Sequence, residues 1–473
     1  MPPPRFSNLV PPSGWTRRQA LQGLAAGAAA IPATASCDDR TRGIRVPDLR
    51  QGGDPDDTAA FTRALASGGA VYFPAGQGSG AGGVYLLRTV SLPSGATIRG
   101  DGAGSVLRAA LDTAGVFEAM SAAPAATLDG ITLQDLRIEG AVAKTGFREH
   151  CNLVSLSGVA GVRIERVAFV GFSGDGLYLG AERAWPVREP RIVRDVTIRD
   201  CLFDGVTGDN RNAISVTGGS DITIDRCRFV RCTRPDMPGP IDFEPDAFPF
   251  YRLERLRVTG CDFAGCGGNV GQIALVVPTL IPPPHDVLIS GNSFRDYQGT
   301  GGDVMVTIRR QPNAATPAMK CVIEGNVGTG GYCGVQLFSG KDVMIRNNRW
   351  TGYAGRSFLG FDEAGAGVMD VVVSGDRFTG CGWREGVALA VYKGDGVTVE
   401  DVRFARTGNG GPGSAPLYLG TGRVRRLSLL RNDWRGNPAS PGLIIVERGA
   451  DYLPGTTQLS GNLVPEGRSL PAL

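Results

Sequence analysis

The segment Gly239-Pro240-Ile241-Asp242-Phe243-Glu244-Pro245-Asp246 places three carboxylates within five residues. On an extended strand, alternation turns Ile241 and Phe243 to one side and Asp242 and Glu244 to the other, about 7 Å apart. Two carboxyl groups at that spacing can divide acid and base work, provided their surroundings separate their affinities for a proton. Other chemistry-bearing side chains lie at intervals before and after: Asp175 and Tyr178, then Asp209, Arg211 and Asn212, and later Gln272, Arg309 and Arg310. Asp242, Glu244, Asp175 and Arg211 are the candidate catalytic residues. Tyr178, Asp209, Asn212, Asp246, Gln272, Arg309, Arg310 and His150 are the candidate binding residues. The competing reading of the acids is a solvated outer face, which any extended sheet surface needs. Long stretches flank the acidic strand, Arg231 to Pro240 and Pro245 to Arg252, with Trp185, Phe248, Phe250 and Tyr251 as nearby aromatics. The only two histidines are His150, just before the strand Leu153-Val154-Ser155-Leu156, and His285, which follows three prolines and reads as structural. No nucleophile elbow, serine-histidine-aspartate order or C-x-x-C metal spacing is present.

Residues so far apart meet only if the chain repeats, and it does. A small or polar register runs Leu136, Val167, Cys201, Cys227, Cys261, Asn292, Asn326, Asn348, Asp376, Val402, Asn432. Two residues later runs a second register: Ile138, Phe169, Phe203, Phe229, Phe263, Phe294, Gly328, Trp350, Phe378, Phe404, Trp434. Intervals of 22 to 34 residues, averaging near 30, mark a solenoid in which each unit covers the apolar face of its neighbour. Two strands are legible in each repeat. One is seen in Asp195-Val196-Thr197-Ile198 and Asp221-Ile222-Thr223-Ile224, the other in Leu177-Tyr178-Leu179, Ile214-Ser215-Val216 and Ile241-Asp242-Phe243. Short strands with no helices between them predict an all-β fold, a right-handed parallel β-helix of about ten or more rungs. Stacked asparagines should bond from rung to rung, and the aromatics should stack inside. Asp57-Thr58 opens a short helix, Ala59 to Ala66, whose Phe61, Leu65 and Ala66 suit a lid over the open N-terminal end.

Residues 1–40 carry Thr16-Arg17-Arg18, an apolar stretch from Ala20 to Ala35 and an Ala33-Thr34-Ala35 ending, the pattern of a Tat-type export signal. Periplasmic or extracellular residence follows, with Cys37 as a site for a lipid anchor; no other apolar run is long enough to span a bilayer. The expected organisation is 1–40 signal and linker, 41–110 cap and first rungs, 111–435 repeats and 436–473 a C-terminal cap. Complete caps favour a monomer. A net charge of +3 argues against a nucleic-acid partner. The ten cysteines are expected to be buried thiols, because ladder side chains point the same way and make poor disulfide geometry. Only four lysines stand among 49 basic residues, which reflects either biased composition or use of guanidinium forks on carboxylates.

Gly53-Asp54-Pro55-Asp56-Asp57-Thr58-Ala59-Ala60-Phe61, Gly69-Ala70-Val71-Tyr72-Phe73-Pro74-Ala75-Gly76 and Leu92-Pro93-Ser94-Gly95-Ala96-Thr97-Ile98-Arg99-Gly100 resemble the start of the pectate lyase superfamily, in its rhamnogalacturonase and epimerase-like branch. The resemblance covers roughly residues 45 to 435 and implies a sugar chain bound over the strand that carries Asp242. It is specific for fold and not for reaction. The Asn-Thr-Asp, paired-aspartate and Gly-His-Gly motifs of polygalacturonases are absent from the repeats, as is the Asp-Pro-His-Asp of alginate epimerases; Asp56-Asp57 lies in the capping region. The first expectation is therefore a lyase on an acidic, uronate-containing polysaccharide, in which arginine or Ca2+ neutralises the sugar carboxylate. A glycoside hydrolase, which needs only two carboxyl groups, is the second. A non-catalytic glycan-binding protein is the third.

Overall fold

The computed structural model describes residues 43–471, apart from 112, 114, 121–127, 182–190, 362–365, 412, 421, 438, 448–450 and 453–456. The export segment, Cys37 and Trp185 lie outside the described residues. From Val90–Ser91 to Ile444–Val446, thirteen strands pair parallel, each with the next, one per turn of a β-solenoid. A second sheet wraps the rest of each turn. It pairs strands such as Val193–Arg199, Gly219–Asp225 and Leu253–Thr259, and beside them the short aromatic strands Leu202–Asp204, Arg228–Val230 and Asp262–Ala264.

The two sequence registers fall on these turns. Phe169, Phe203, Phe229, Phe263 and Phe294 stack inside at centroid distances of 4.6, 5.1, 4.6 and 5.0 Å. At the turn two residues earlier, each amide reaches the next: Asn292 Nδ2 donates to Asn326 Oδ1 at 3.0 Å, and Asn326 Nδ2 to Asn348 Oδ1 at 3.0 Å. Asn348 Nδ2 then donates to Asp376 Oδ1 at 3.1 Å. The cysteines that begin this ladder are free thiols and buried fillers, like the other described ones except the half-buried Cys151.

The aromatic ladder has one gap, at Gly328, and the structure explains it. A Cβ there would meet the Tyr353 hydroxyl at 1.9 Å and Asp303 Oδ2 at 2.6 Å. The missing ring leaves room for a buried polar network in which Tyr353 donates to Asp303 Oδ2 and Gln272 Nε2 donates to Asp303 Oδ1 at 2.7 Å. Burial pushes the Asp303 carboxyl up to about 7.

The predicted lid is the helix Thr58–Ala66. Its buried face is Ala60, Phe61 and Ala64; Leu65 is half-buried and Ala66 exposed, because Phe61 must point into the first turn, 5.1 Å from Phe73, and carries its helical neighbours round with it. Asp57 does not cap the helix but is buried, accepting from Arg50 Nε at 2.5 Å, the Ser79 hydroxyl at 2.7 Å and the Leu86 amide at 2.9 Å. A second short helix, Val142–Thr145, carries no signal read in the sequence.

The arginine surplus also has a structural use. Asp195 and Asp221, which open two of the predicted strands, have φ of 52° and 56° and face arginines one turn away. Arg163 Nη2 reaches both Asp195 oxygens at 3.0 and 3.1 Å, and Arg255 forks onto Asp221 at 2.6 and 2.9 Å. Arg226 with Asp200 and Arg431 with Asp401 repeat the motif. No helix among the described residues is long and apolar enough to cross a membrane.

Candidate functional site

Residues Ile214–Val216 and Ile241–Phe243 lie side by side, with Ser215 opposite Asp242 and Tyr178 opposite Ser215 on the preceding turn. Ile214, Val216, Ile241 and Phe243 pack into the core, so Ser215 and Asp242 stand on the outer side of the sheet. They are not open to solvent, however: Asp242 is 2% exposed, Asp175 1%, Asn212 0% and Ser215 2%. The sequence leads one to expect an exposed polar stripe; the residues instead close over one another as a buried cluster.

Arg211 is its centre. Its Nη1 donates to Asp175 Oδ1 and Oδ2 at 3.2 and 3.0 Å and to the Ser215 hydroxyl at 2.9 Å. Glu149 stands 3.9 Å from Arg211 Nε at the solvent edge. The Asn212 amide N–H donates to Asp175 Oδ1 at 3.1 Å, and its Nδ2 donates to the Ser215 hydroxyl at 2.9 Å and to Asp242 Oδ2 at 3.2 Å. Burial raises the Asp175 carboxyl, and the Arg211 cation pulls it back. Among the described residues Asp242 has no cation in direct contact, and its Oδ1 is buried with no hydrogen-bond partner. Burial above all, and then the negative charge of Glu244, push Asp242 up to about 8, so it holds a proton at neutral pH. Glu244 differs: its side chain is 35% exposed, and Oε1 accepts from Arg309 Nη2 at 3.2 Å, an arginine two turns further on.

The structure thus brings together Asp175, Arg211, Asn212, Asp242, Glu244 and Arg309 of the predicted set. Tyr178 borders them, with its hydroxyl 3.2 Å from that of Thr217. Five others fall elsewhere. Asp209 is exposed and 3.8 Å from Arg234; Asp246 is exposed, with the Tyr251 hydroxyl at 3.4 Å. Gln272 belongs to the interior network with Asp303, and Arg310 donates to the Ile281 carbonyl. His150 is exposed. Phe248, Phe250 and Tyr251 form a small aromatic group, with centroids 5.5 and 4.9 Å apart. Ser215 and Glu149 escaped the sequence reading. Ser215 had a signal, since Ile214-Ser215-Val216 aligns with Ile241-Asp242-Phe243; Glu149 lies in a loop with none.

The donor set does not suit Ca2+, which takes six to eight oxygens. Both Asp175 oxygens already face Arg211, and among the described residues no group of three or more acids, histidines or cysteines is placed to hold a metal.

No protein-family model and no curated protein sequence matches the chain. Among solved structures it is similar to the pre-mature gene product 12 of bacteriophage phi29, at 16% identity and a TM-score of 0.53, over 89% of this chain and 58% of that one. The chain therefore spans less than two thirds of that protein. The N-terminal fragment of the same phage protein aligns at 15% identity and a TM-score of 0.58, over 90% of this chain and 74% of that one. PfbA, a surface adhesin of Streptococcus pneumoniae, aligns at 13% identity and a TM-score of 0.50, over 86% and 91%. At these identities the likeness is one of fold.

Proposed function

We propose that this chain binds a polysaccharide across the outer face of its thirteen-stranded sheet and cleaves it as a glycoside hydrolase. The observation that carries the reading is the unlike pair two residues apart, Asp242 on the strand and Glu244 just past its end: Asp242 is buried, protonated and has a free carboxyl oxygen, and Glu244 is half-exposed and ion-paired. Asp242 is the general acid that protonates the leaving oxygen. Glu244 is the carboxylate that activates water. An inverting mechanism, in which the two carboxyl groups leave room for that water, is the one this pair would serve. The resemblance of the opening motifs to the pectate lyase superfamily supports a glycan as the ligand. A lyase fits the site less well. Its base would have to be ionised, whereas Asp242 is not, and the arginines available to neutralise a uronate, Arg211 and Arg309, already face protein carboxylates. Residues 1–40 are read as an export segment, which would place the enzyme where polysaccharides are met.

The second reading, a glycan-binding protein without turnover, is favoured by one observation: Asp242 Oδ1 has no access to solvent in this conformation. PfbA, which shares the fold, is described as a surface adhesin. Incubation with a panel of neutral and acidic polysaccharides separates the readings. Hydrolysis releases reducing ends without ultraviolet-absorbing unsaturated ends, and Asp242→Asn lowers the rate at least a hundredfold. Unsaturated products would mean a lyase, and binding with no product would mean an adhesin.

A further inference from the structure

The outer column that contains Asp242 continues, in register, through Ala274, Met305, Gln336, Phe358 and Ala390 to Tyr418. Six steps at about 4.8 Å per turn put Tyr418 about 29 Å along the axis from Asp242, on the same face. Between them the column carries no charge. At its far end the surface turns aromatic. Phe338, Phe358, Phe361 and Tyr392 pack together, with Phe361 5.5 Å from Phe338 and from Tyr392, and Tyr392 lies 5.6 Å from Tyr418. The solenoid core does not need these rings, since they stand on the opposite side of the sheet from it. Tyr392 and Tyr418 are half-buried and keep part of their surface in solvent.

Polar groups rim the rings. The Arg356 guanidinium lies 5.8 and 5.7 Å from the centroids of Tyr392 and Tyr418, and its Nε pairs with Glu385 at 2.9 Å. The Tyr332 hydroxyl donates to Glu385, and the Tyr418 hydroxyl donates to Glu447. Arg356 lies over one face of each ring; the faces it leaves uncovered, with carboxylate acceptors at their edges, match a sugar ring, which offers C–H groups on its face and hydroxyls around its rim. The charges choose among sugars. Arg356 is matched by Glu385, and no cation pairs with Glu447 among the described residues. A uronate carboxylate would add its charge beside Glu447, which Arg356 does not balance.

We propose that Tyr392 and Tyr418, with Glu385 and Glu447 at their edges, form a distal subsite for an uncharged sugar ring of the same glycan chain that crosses Asp242. The inference rests on the glycan reading above and deepens it. The substrate is a neutral polysaccharide, bound over about six rings at roughly one ring per turn.

The test measures binding, not turnover, so the two readings can fail separately. Asp242→Asn protein is titrated with glucan, mannan, xylan and chitin oligosaccharides of two to eight rings, and with oligogalacturonates of the same lengths. For at least one neutral series, affinity should rise with length up to about six rings. Tyr392→Ala together with Tyr418→Ala, checked for an unchanged melting temperature, should weaken the eight-ring ligand at least tenfold and remove the gain with length. Tyr418→Phe, which keeps the ring, should retain most of it. Three results would overturn the subsite: no neutral series binds, oligogalacturonates bind more tightly than every neutral series, or the gain with length survives in the double variant. If the predicted binding holds while the wild-type protein releases no reducing ends, the hydrolytic reading falls and the subsite stands.

Discussion

At the scale of single residues, the site depends on how two aspartates in one buried cluster come to differ. Asp175 lies against Arg211, whereas Asp242 receives one amide N–H and is left with an oxygen that nothing satisfies. Removing a carboxylate from water without a cation costs more than one hydrogen bond returns, so Asp242 keeps its proton. The consequence for stability has a definite sign. An unfolded aspartate titrates near 3.9 and the folded one near 8, so between those values the native state binds the extra proton and stability falls as pH rises. Asp242→Asn removes the titration and keeps the shape. Its melting temperature relative to wild type should therefore climb between pH 5 and pH 9; an unchanging difference would mean that Asp242 is ionised throughout. The same titration places a limb on activity: kcat/KM should decline above about pH 8, where the acid loses its proton.

At the scale of elements, the irregular position in the repeat is the informative one. Gly328→Ala would drive a methyl group into the Tyr353 hydroxyl, Asp303 Oδ2 and the Trp350 ring. Overpacking of this kind costs about 1–3 kcal/mol. Tyr353→Phe removes the atom in closest contact, so the double variant should lose less than the sum of the two single losses, as read from denaturant midpoints. Simple addition would mean that the gap and the network are unrelated. The gap at Gly328 is visible in the sequence as a missing aromatic, but its cause is not, because Asp303 and Tyr353 lie 25 residues to either side and meet only through the winding. Elsewhere the sequence carries the inward face well: Phe169 to Phe294 and Asn292 to Asn348 sit where period and residue type put them, because buried positions tolerate few alternatives. The outward face is less legible. Period 2 tells which side Asp242 occupies but not what folds over it, and the cover comes from Arg211, at the end of a loop on the preceding turn. Asp209 and Asp246, close in sequence to site residues, were carried away by the same loops. The aromatic face at Tyr392 and Tyr418 left no sequence signal either, since its rings come from four turns and no one repeat holds more than two.

At the scale of the whole molecule, the fold is a sum of like turns, and its path does not require particular residues. A phage protein fragment only 15% identical follows the chain over 90% of its length. What the two must share is the arithmetic of stacking: apolar side chains inside, hydrogen-bonded polar ones at the turns and strands in parallel register. Each turn touches its neighbours and little else, so the stability of this chain should behave as a string of local terms and not as one core. The arginine–aspartate forks belong to the same scheme, each joining one turn to the next; at the exposures seen here, solvent screening makes each a minor contributor to stability. Locality is measurable. In Gly328→Ala, amide hydrogen exchange should accelerate at Val327–Thr329 and on the flanking strands Ser293–Arg295 and Arg349–Thr351. Protection at Leu177–Gly180, about five turns away, should stay as in the wild type. Loss of protection along the entire chain would mean that the turns unfold as one cooperative block. The outer face could not then be altered at the Tyr418 end without disturbing Asp242. Confined loss would mean that the two ends of the face can be mutated, and read, independently.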